Sequence, residues 1–286
     1  MMIVKNLTFV YGKGTVNECR VLDNISFEIH EGEFIGLIGS SGSGKTTLIK
    51  HLNGLLKADS GDIIFNGQSI YDKKYVLSNL RKEVGLVFQY PEQQLFKNTV
   101  LADVSFGPQN LGMTKEEAEE SAKKSLKLVG MDASCYYVSP LELSGGQRRC
   151  VAIAGVLAMN PRILIMDEPA AGLDPGTRRG IYQLVKKIKR ERNVAIVLVS
   201  HHMEDVAEYA DKVLVLHDNK LVRTGTVREV FSQMDYLESI GIGVPQITRV
   251  TERLRKMGLE LSHPAVTVDE AETMILQALR EQKGAC

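Results

Sequence analysis

The chain opens with short apolar–polar alternations and then changes period. "IVKNLTFVY" (3–11), "NISFEI" (24–29) and "EFIGLIG" (33–39) read as strands, the last two separated by the turn "HEGE". After Gly39 the spacing becomes helical in "GKTTLIKHLNGLL" (44–56), and strands return at "GDIIFNG" (61–67) and "VGLVFQ" (84–89). From Pro91 to about Met159 the pattern is helical and irregular. Within it, "TKEEAEESAKKSLKLVG" predicts an amphipathic helix capped by Thr114, with Glu117 three residues on.

"RILIM" (162–166) is continuously apolar, as a strand buried on both faces of a parallel sheet must be. A helix over "GTRRGIYQLVKKIKRER" (176–192), a strand at "VAIVLVS" (194–200) and a helix at "MEDVAEYA" (203–210) follow. The pair "KVLVLHD" and "KLVRTG" turns at Asn219. Strands alternating with helices predict an α/β fold around a parallel sheet, and the leading strands predict a small antiparallel β portion. After Phe231 the texture changes: two short helices, in "SIGIGVPQITRVTERLRKMGL" and "TVDEAETMILQALREQ", are joined through "SHPAVT". We read this as a C-terminal appendage.

Composition narrows the possibilities. Of 286 residues 44% are hydrophobic, enough for a full core. Lys plus Arg total 35 and Asp plus Glu total 35, so the charge balance lacks the footprint of a nucleic-acid binder or a polybasic membrane anchor. The N-terminal residues do not read as a signal peptide, and no apolar run approaches the ~20 residues of a membrane span. Membrane association is therefore expected to come through a partner. Cys19, Cys135, Cys150 and Cys286 have no metal-ligand spacing and read as reduced thiols of a cytosolic protein.

The chemistry concentrates at a few places. "GSSGSGKT" (Gly39, Ser40, Ser41, Gly42, Ser43, Gly44, Lys45, Thr46) fits the phosphate-loop pattern between a strand and a helix, and Thr47 follows. Glycines let backbone N–H groups converge on phosphate, and the helix N-terminus adds its positive dipole end. Lys45 can reach the β- and γ-phosphates, and the Thr46 hydroxyl can ligate Mg²⁺. A glycine-rich turn that merely holds a lysine is the plain alternative. Asp167 ends the buried strand "ILIMD", where it can hold Mg²⁺ through water. Glu168 points another way and can face an attacking water as general base. His201, closing "IVLVSH", is preferred over His202 for a γ-phosphate contact. Gln89, ending "GLVFQ", could contact Mg²⁺ or the water, although alone it would read as a surface glutamine.

"LSGGQRR" (143–149) is harder to explain. Ser144 is a good helix cap, and Gly145 and Gly146 then bare the first N–H groups. A cap alone needs no glycines, since each costs roughly 1 kcal/mol in a helix. A second anion site without a lysine is useful if it completes the site of a neighbouring subunit.

In order, the phosphate loop, Gln89, "LSGGQ", "ILIMDEP", "GLD" (172–174) and His201 resemble ABC transporter ATPases over about residues 1–230. The resemblance implies a P-loop NTPase of ABC type, with a RecA-like parallel sheet core, an antiparallel β subdomain and a helical subdomain at about 91–159. Residues 231–286 then form the small helical appendage, a possible dimerisation element. It also implies a head-to-tail dimer holding two ATP molecules with Mg²⁺ between phosphate loop and signature, where Ser144, Gly145, Gly146 and Gln147 contact nucleotide. Glu168 becomes the catalytic carboxylate, assisted by His201 and Gln89. Asp174 lies at the dimer interface and Tyr11 stacks on adenine, with Phe9 as competitor.

"FQYPEQQLF", "SFGPQNLG", "ELSGGQRRCVAIAGVLAM" and "DEPAAGLDP" resemble, more narrowly, the ATPases of energy-coupling factor importers of vitamins or metal ions, in particular the second of two paralogous subunits. Ala170 and Cys150 depart from common ABC residues, and neither is a phosphate-binding position. The resemblance implies a peripheral protein on the cytoplasmic face of the membrane. Its partners would be a paralogous ATPase, or a second copy of itself, an integral membrane coupling subunit and a substrate-binding membrane subunit. No nucleic-acid partner is expected: the stretch between phosphate loop and signature is too short for the coiled coil of DNA-repair relatives, and there is one cassette where ribosome-associated types have two. Another transporter class, or a soluble ABC protein, is the alternative.

Overall fold

The alternating and helical patterns become the following elements in the computed structural model, which describes residues 1–284. Strands β1 (Met2–Tyr11), β2 (Cys19–Ile29) and β3 (Phe34–Gly39) precede helix α1 (Lys45–Leu52). Next come β4 (Ser60–Phe65), β5 (Gln68–Ser69), α2 (Leu77–Glu83), β6 (Val84–Val87) and a 3₁₀ turn at Pro91–Gln94. The helices α3 (Val100–Asn110), α4 (Lys115–Leu128) and α5 (Gly145–Leu157) lead to β7 (Ile163–Asp167), α6 (Pro175–Arg192) and β8 (Ala195–Val199). The chain ends with α7 (Met203–Tyr209), β9 (Lys212–His217), β10 (Lys220–Thr226), α8 (Val227–Phe231), α9 (Met234–Ser239), α10 (Gln246–Lys256) and α11 (Val268–Gly284).

Two compact units share these elements. The first combines Met1–Glu33 with Thr46–Val199. In it β1 pairs antiparallel with β2 and β4, and β4 with β5. Strands β6, β7 and β8 run parallel with β7 between the other two, and every residue of β7 and β8 is buried. Two-faced burial is the reason "ILIMD" and "AIVLV" carry no alternation. Helices α3, α4 and α5 pack on one another. Thr114 caps α4 as the sequence predicts: its hydroxyl accepts from Glu117 N at 3.2 Å, and Glu117 Oε2 accepts from Thr114 N at 2.9 Å. Reciprocal capping of this kind satisfies two N–H groups that the helix itself leaves orphaned.

The second unit combines Phe34–Lys45 with the chain from Ser200 onward. There β9 pairs antiparallel with β10 and parallel with β3. The hairpin turn places both Asp218 and Asn219 at positive φ, which Asn and Asp tolerate better than other side chains. Phe231, Leu237, Ile242 and Val266 pack with Val213 and Val215 of β9, so residues beyond 231 share a core with that strand.

Three expectations change. Strand β6 stops at Val87, two residues before Gln89, and β8 stops at Val199, two before His201. Both side chains therefore sit in loops after the strand ends. A non-glycine left-handed residue, Tyr90 at φ 55°, turns the chain sharply out of the β6 direction. The C-terminal region has α9 besides the two helices read from sequence, and α11 is 17 residues long rather than short. The first of the expected helices begins only at Gln246, because Pro245 cannot donate inside a helix. Cys19, Cys135 and Cys150 are free thiols, and Cys286 lies outside the described residues.

Candidate active site

The loop between β3 and α1 is shaped for close backbone approach. A side chain on Gly39 would meet the Leu216 carbonyl oxygen at 2.3 Å and Ser43 Oγ at 2.7 Å, so only glycine fits. Gly42 and Gly44 take φ of +77° and +99°, where L side chains are strained. Ser40 O accepts from Ser43 N at 3.2 Å, closing the turn, and Ser41 and Gly42 are exposed at its crest. Lys45 is buried, and its ammonium donates to Gly39 O and Ser40 O at 2.8 Å each. Ser43 Oγ is buried and has no hydrogen-bond partner among the described residues. A buried hydroxyl without a partner is costly, and phosphate oxygens are natural partners for one in such a loop.

The next residue along the helix reaches the end of β7. Thr46 Oγ1 lies 3.2 Å from Asp167 Oδ2, and Asp167 is buried. No cluster of three or more His, Cys, Asp or Glu side chains that could hold a metal occurs among the described residues. A hydroxyl and a single carboxylate suit Mg²⁺, which keeps several waters and takes its other oxygens from substrate phosphates. Gln89 lies in the same first unit, and its amide Nε2 is 3.4 Å from Glu168 Oε2. Glu168 adopts φ 47°, an uncommon conformation for a side-chain-bearing residue. Its N–H donates to Val199 O at 3.0 Å, and its carbonyl accepts from Ala171 N at 3.0 Å. The backbone thus swings Glu168 out of the strand direction that Asp167 still follows.

Tyr11 and Phe9, both named for adenine, are in edge-to-face contact with ring centres 4.8 Å apart. Phe9 also packs edge-on against buried His51 at 4.6 Å. Tyr11 is 41% exposed, and its hydroxyl lies 3.5 Å from Thr47 Oγ1, one residue beyond Thr46. Its ring is the more available of the two for stacking.

The signature segment is a helix start, as the sequence predicts. Ser144 Oγ accepts from Gln147 N at 3.2 Å, and Gln147 Oε1 accepts from Ser144 N at 2.9 Å. Both side chains therefore serve the cap. A side chain on Gly145 would meet nothing within 4 Å, while one on Gly146 would come within 3.2 Å of Thr177 Cγ2. Among the described residues, nothing packed around it demands glycine at 145. Asp174 caps α6: Oδ1 accepts from Gly176 N and Thr177 N, and Oδ2 from the Thr177 hydroxyl at 2.6 Å. The Thr177 hydrogen bonds hold the Asp174 carboxyl below the usual carboxylate range. In the second unit, His201 is exposed in the turn before α7, and Ser200 Oγ accepts from His202 N at 3.1 Å.

Sequence reasoning missed Arg149 and Glu92. Arg149 is the largest fully buried side chain among the described residues and forms a bidentate ion pair with Glu92, Nε to Oε2 at 2.9 Å and Nη2 to Oε1 at 2.7 Å. Burial of the Glu92 carboxyl opposes its ionisation, but the Arg149 hydrogen bonds and charge outweigh this and lower its pKa. A signal was available. Arg149, Ile153 and Leu157 repeat every four residues and are all buried, so Arg149 is a charge on an apolar face and requires a partner.

Loop, carboxylates and capped signature helix together define a P-loop ATPase of the ABC type. The family model described as ABC transporter matches residues 22–171. The energy-coupling factor transporter ATP-binding protein EcfA2 of Caldanaerobacter subterraneus subsp. tengcongensis is 49% identical over 98% of each chain. Its namesake from Clostridioides difficile is 47% identical, covering 100% of this chain and 99% of its own. Among solved structures, cbiO1 of Clostridium perfringens, part of the ABC transporter complex cbiONQ, matches with a TM-score of 0.74. That match is 33% identical and covers 89% of this chain and 98% of the other. The dimeric ATP-binding cassette MJ0796, bound to ADP and Pi, matches with a TM-score of 0.70, at 31% identity, over 80% and 99% of the two chains. The chain belongs to the ABC transporter ATPases and, among them, to the energy-coupling factor transporter ATP-binding proteins.

Proposed function

We propose that this chain hydrolyses ATP in a dimer with a paralogous ATPase and so drives an energy-coupling factor importer of vitamins or transition-metal ions. The observation that carries the reading is the Thr46–Asp167 pair, with Glu168, the next residue in the chain, in contact with Gln89. Residues 39–47 bind the phosphates, and Tyr11 stacks on adenine. Thr46, Asp167 and Gln89 would hold Mg²⁺, which when bound offsets charge on the phosphates. Glu168 takes the proton of the attacking water, a role worth ~10²–10⁴-fold in rate. Gln89 orients Glu168 and that water, and His201 contacts the γ-phosphate. Ser144 to Gln147 and Asp174 face the partner's nucleotide. The open space over Gly145 supports that assignment, since a cap alone leaves the glycine unexplained.

No helix among the described residues is long and apolar enough to cross a membrane. Residues 1–230 act as the ATPase cassette, with its helical part at about 91–159, and 231–286 as the appendage. Coupling then runs through membrane subunits seated at residues 90–112, where Phe96 is 62% exposed and stacks edge-on with Phe106. That exposure favours a docking surface over a core segment. The protein is held in this way at the cytoplasmic face. Copurification from membranes, with identification of the subunits and assay of their ATPase activity, tests the reading. Recovery of this chain free of membrane subunits and without ATPase activity would overturn it.

A further inference from the structure

Arg149 sits where three functional segments meet. Its Nη1 donates to Pro169 O at 3.2 Å and to Ala171 O at 2.8 Å, on the turn that follows Glu168. Its Nε and Nη2 donate to Glu92, inside the 3₁₀ turn that follows Gln89. Its own backbone lies in the first turns of α5, five residues after Ser144. The Tyr90 ring lies 6.0 Å from the guanidinium carbon and would be the nearest neighbour of a side chain on Gly172.

We infer that Arg149 is a positioning residue for ATP hydrolysis: it clamps the turn after Glu168 and the turn after Gln89 to the head of the signature helix. The inference rests on the proposed ATPase reading and adds to it a residue pair, Arg149–Glu92, that acts through Glu168. A buried guanidinium loses hydration on every N–H, so its hydrogen bonds are obligatory and its geometry is fixed by the planar fork. Moving any one of the three segments alone breaks charge-assisted bonds to the others. The half-site that this chain keeps, with Gln89 and Glu168, is thereby tied to the half-site it lends, Ser144 to Gln147. The segment at 91–94, part of the proposed membrane-docking stretch, is tied to both. Lysine cannot replace the clamp, because a point charge satisfies neither the bidentate carboxylate nor both carbonyls.

The test uses Glu92→Gln and Arg149→Lys in the full complex, with Glu92→Asp as the conservative control. Expected for Glu92→Gln is an ATP affinity within about twofold of wild type and a kcat lower by roughly tenfold, the scale of one charge-assisted hydrogen bond. Glu92→Asp should recover part of the loss. Hydrogen exchange of the Ala171 and Leu173 amides reads the turn without turnover, since these donate to Glu168 O and Ala170 O in the folded chain. They should exchange faster in Glu92→Gln while the amides of β7 do not. Unchanged kcat and unchanged exchange in this turn would overturn the clamp. So would a parallel fall of kcat, ATP affinity and melting temperature, which marks a merely structural pair. An inactive wild-type complex would instead count against the ATPase reading, and the exchange measurement would still decide the clamp.

Discussion

Thr46 Oγ1 and Asp167 Oδ2 stand 3.2 Å apart although 121 positions separate them in the chain. The pair is too small to hold a metal by itself and complete enough to share one with phosphate oxygens. Thr46→Ala should therefore weaken ATP binding in the presence of Mg²⁺ and leave Mg²⁺-free nucleotide binding nearly unchanged. Calorimetry with and without EDTA separates the two. Equal losses under both conditions would assign Thr46 to the phosphate rather than the ion.

Glu168→Gln should bind ATP with wild-type affinity and lose at least ~10² in turnover. The amide keeps the size and the Gln89 contact but cannot take a proton. Single-turnover hydrolysis measures it, and wild-type turnover would move the task to another residue.

Ser144→Asp separates the pairing schemes more cleanly than a change at Gly146, where an added side chain would press on Thr177. Aspartate caps a helix as well as serine does, so the fold survives. It also places a carboxylate beside the γ-phosphate bound by the other subunit. In a heterodimer one nucleotide per dimer should remain trapped; in a homodimer, none. Counting nucleotides in the purified dimer decides between them.

Phe96→Glu should uncouple transport and leave the basal ATPase activity in place, because the ring is largely exposed and none of the proposed nucleotide contacts uses it. The comparison is ATPase activity with and without the membrane subunits. Loss of the folded protein instead would return Phe96 to the core.

His51 is fully buried, with Nδ1 2.8 Å from Thr47 O, and burial lowers its pKa below 6.5. The unfolded chain therefore binds the proton first as pH falls. The stabilisation from neutral His51 is complete above pH 6.5 and is lost progressively below it, down to the folded-state pKa. Melting temperature should drop from pH 7.5 to 5.5, and less steeply in His51→Gln. Identical slopes would show that His51 titrates alike in the folded and unfolded chains.

The phosphate loop, the buried strands and the capped helices were legible because each is encoded locally. Glycine spacing sets the loop, uninterrupted apolar residues mark a strand buried on both faces, and a hydroxyl three residues before a carboxyl or amide starts a helix. Thr114 with Glu117 and Ser144 with Gln147 follow that rule to the atom. Distances between segments are not local. Nothing in "PEQQ" or "GGQRR" says that Glu92 and Arg149 meet, because they stand 57 positions apart in the chain with several elements between them. The sequence shows only that a charge on an apolar helix face needs a partner; packing of α5 beside the turns after Gln89 and Glu168 selects which one. The same holds for Gln89 and His201. Sequence alternation carries both to a strand end, whereas the backbone leaves the sheet two residues earlier, where Val87 and Val199 make the last pleated positions. Local chemistry thus determined which residues could act, and only tertiary packing decided where each is held.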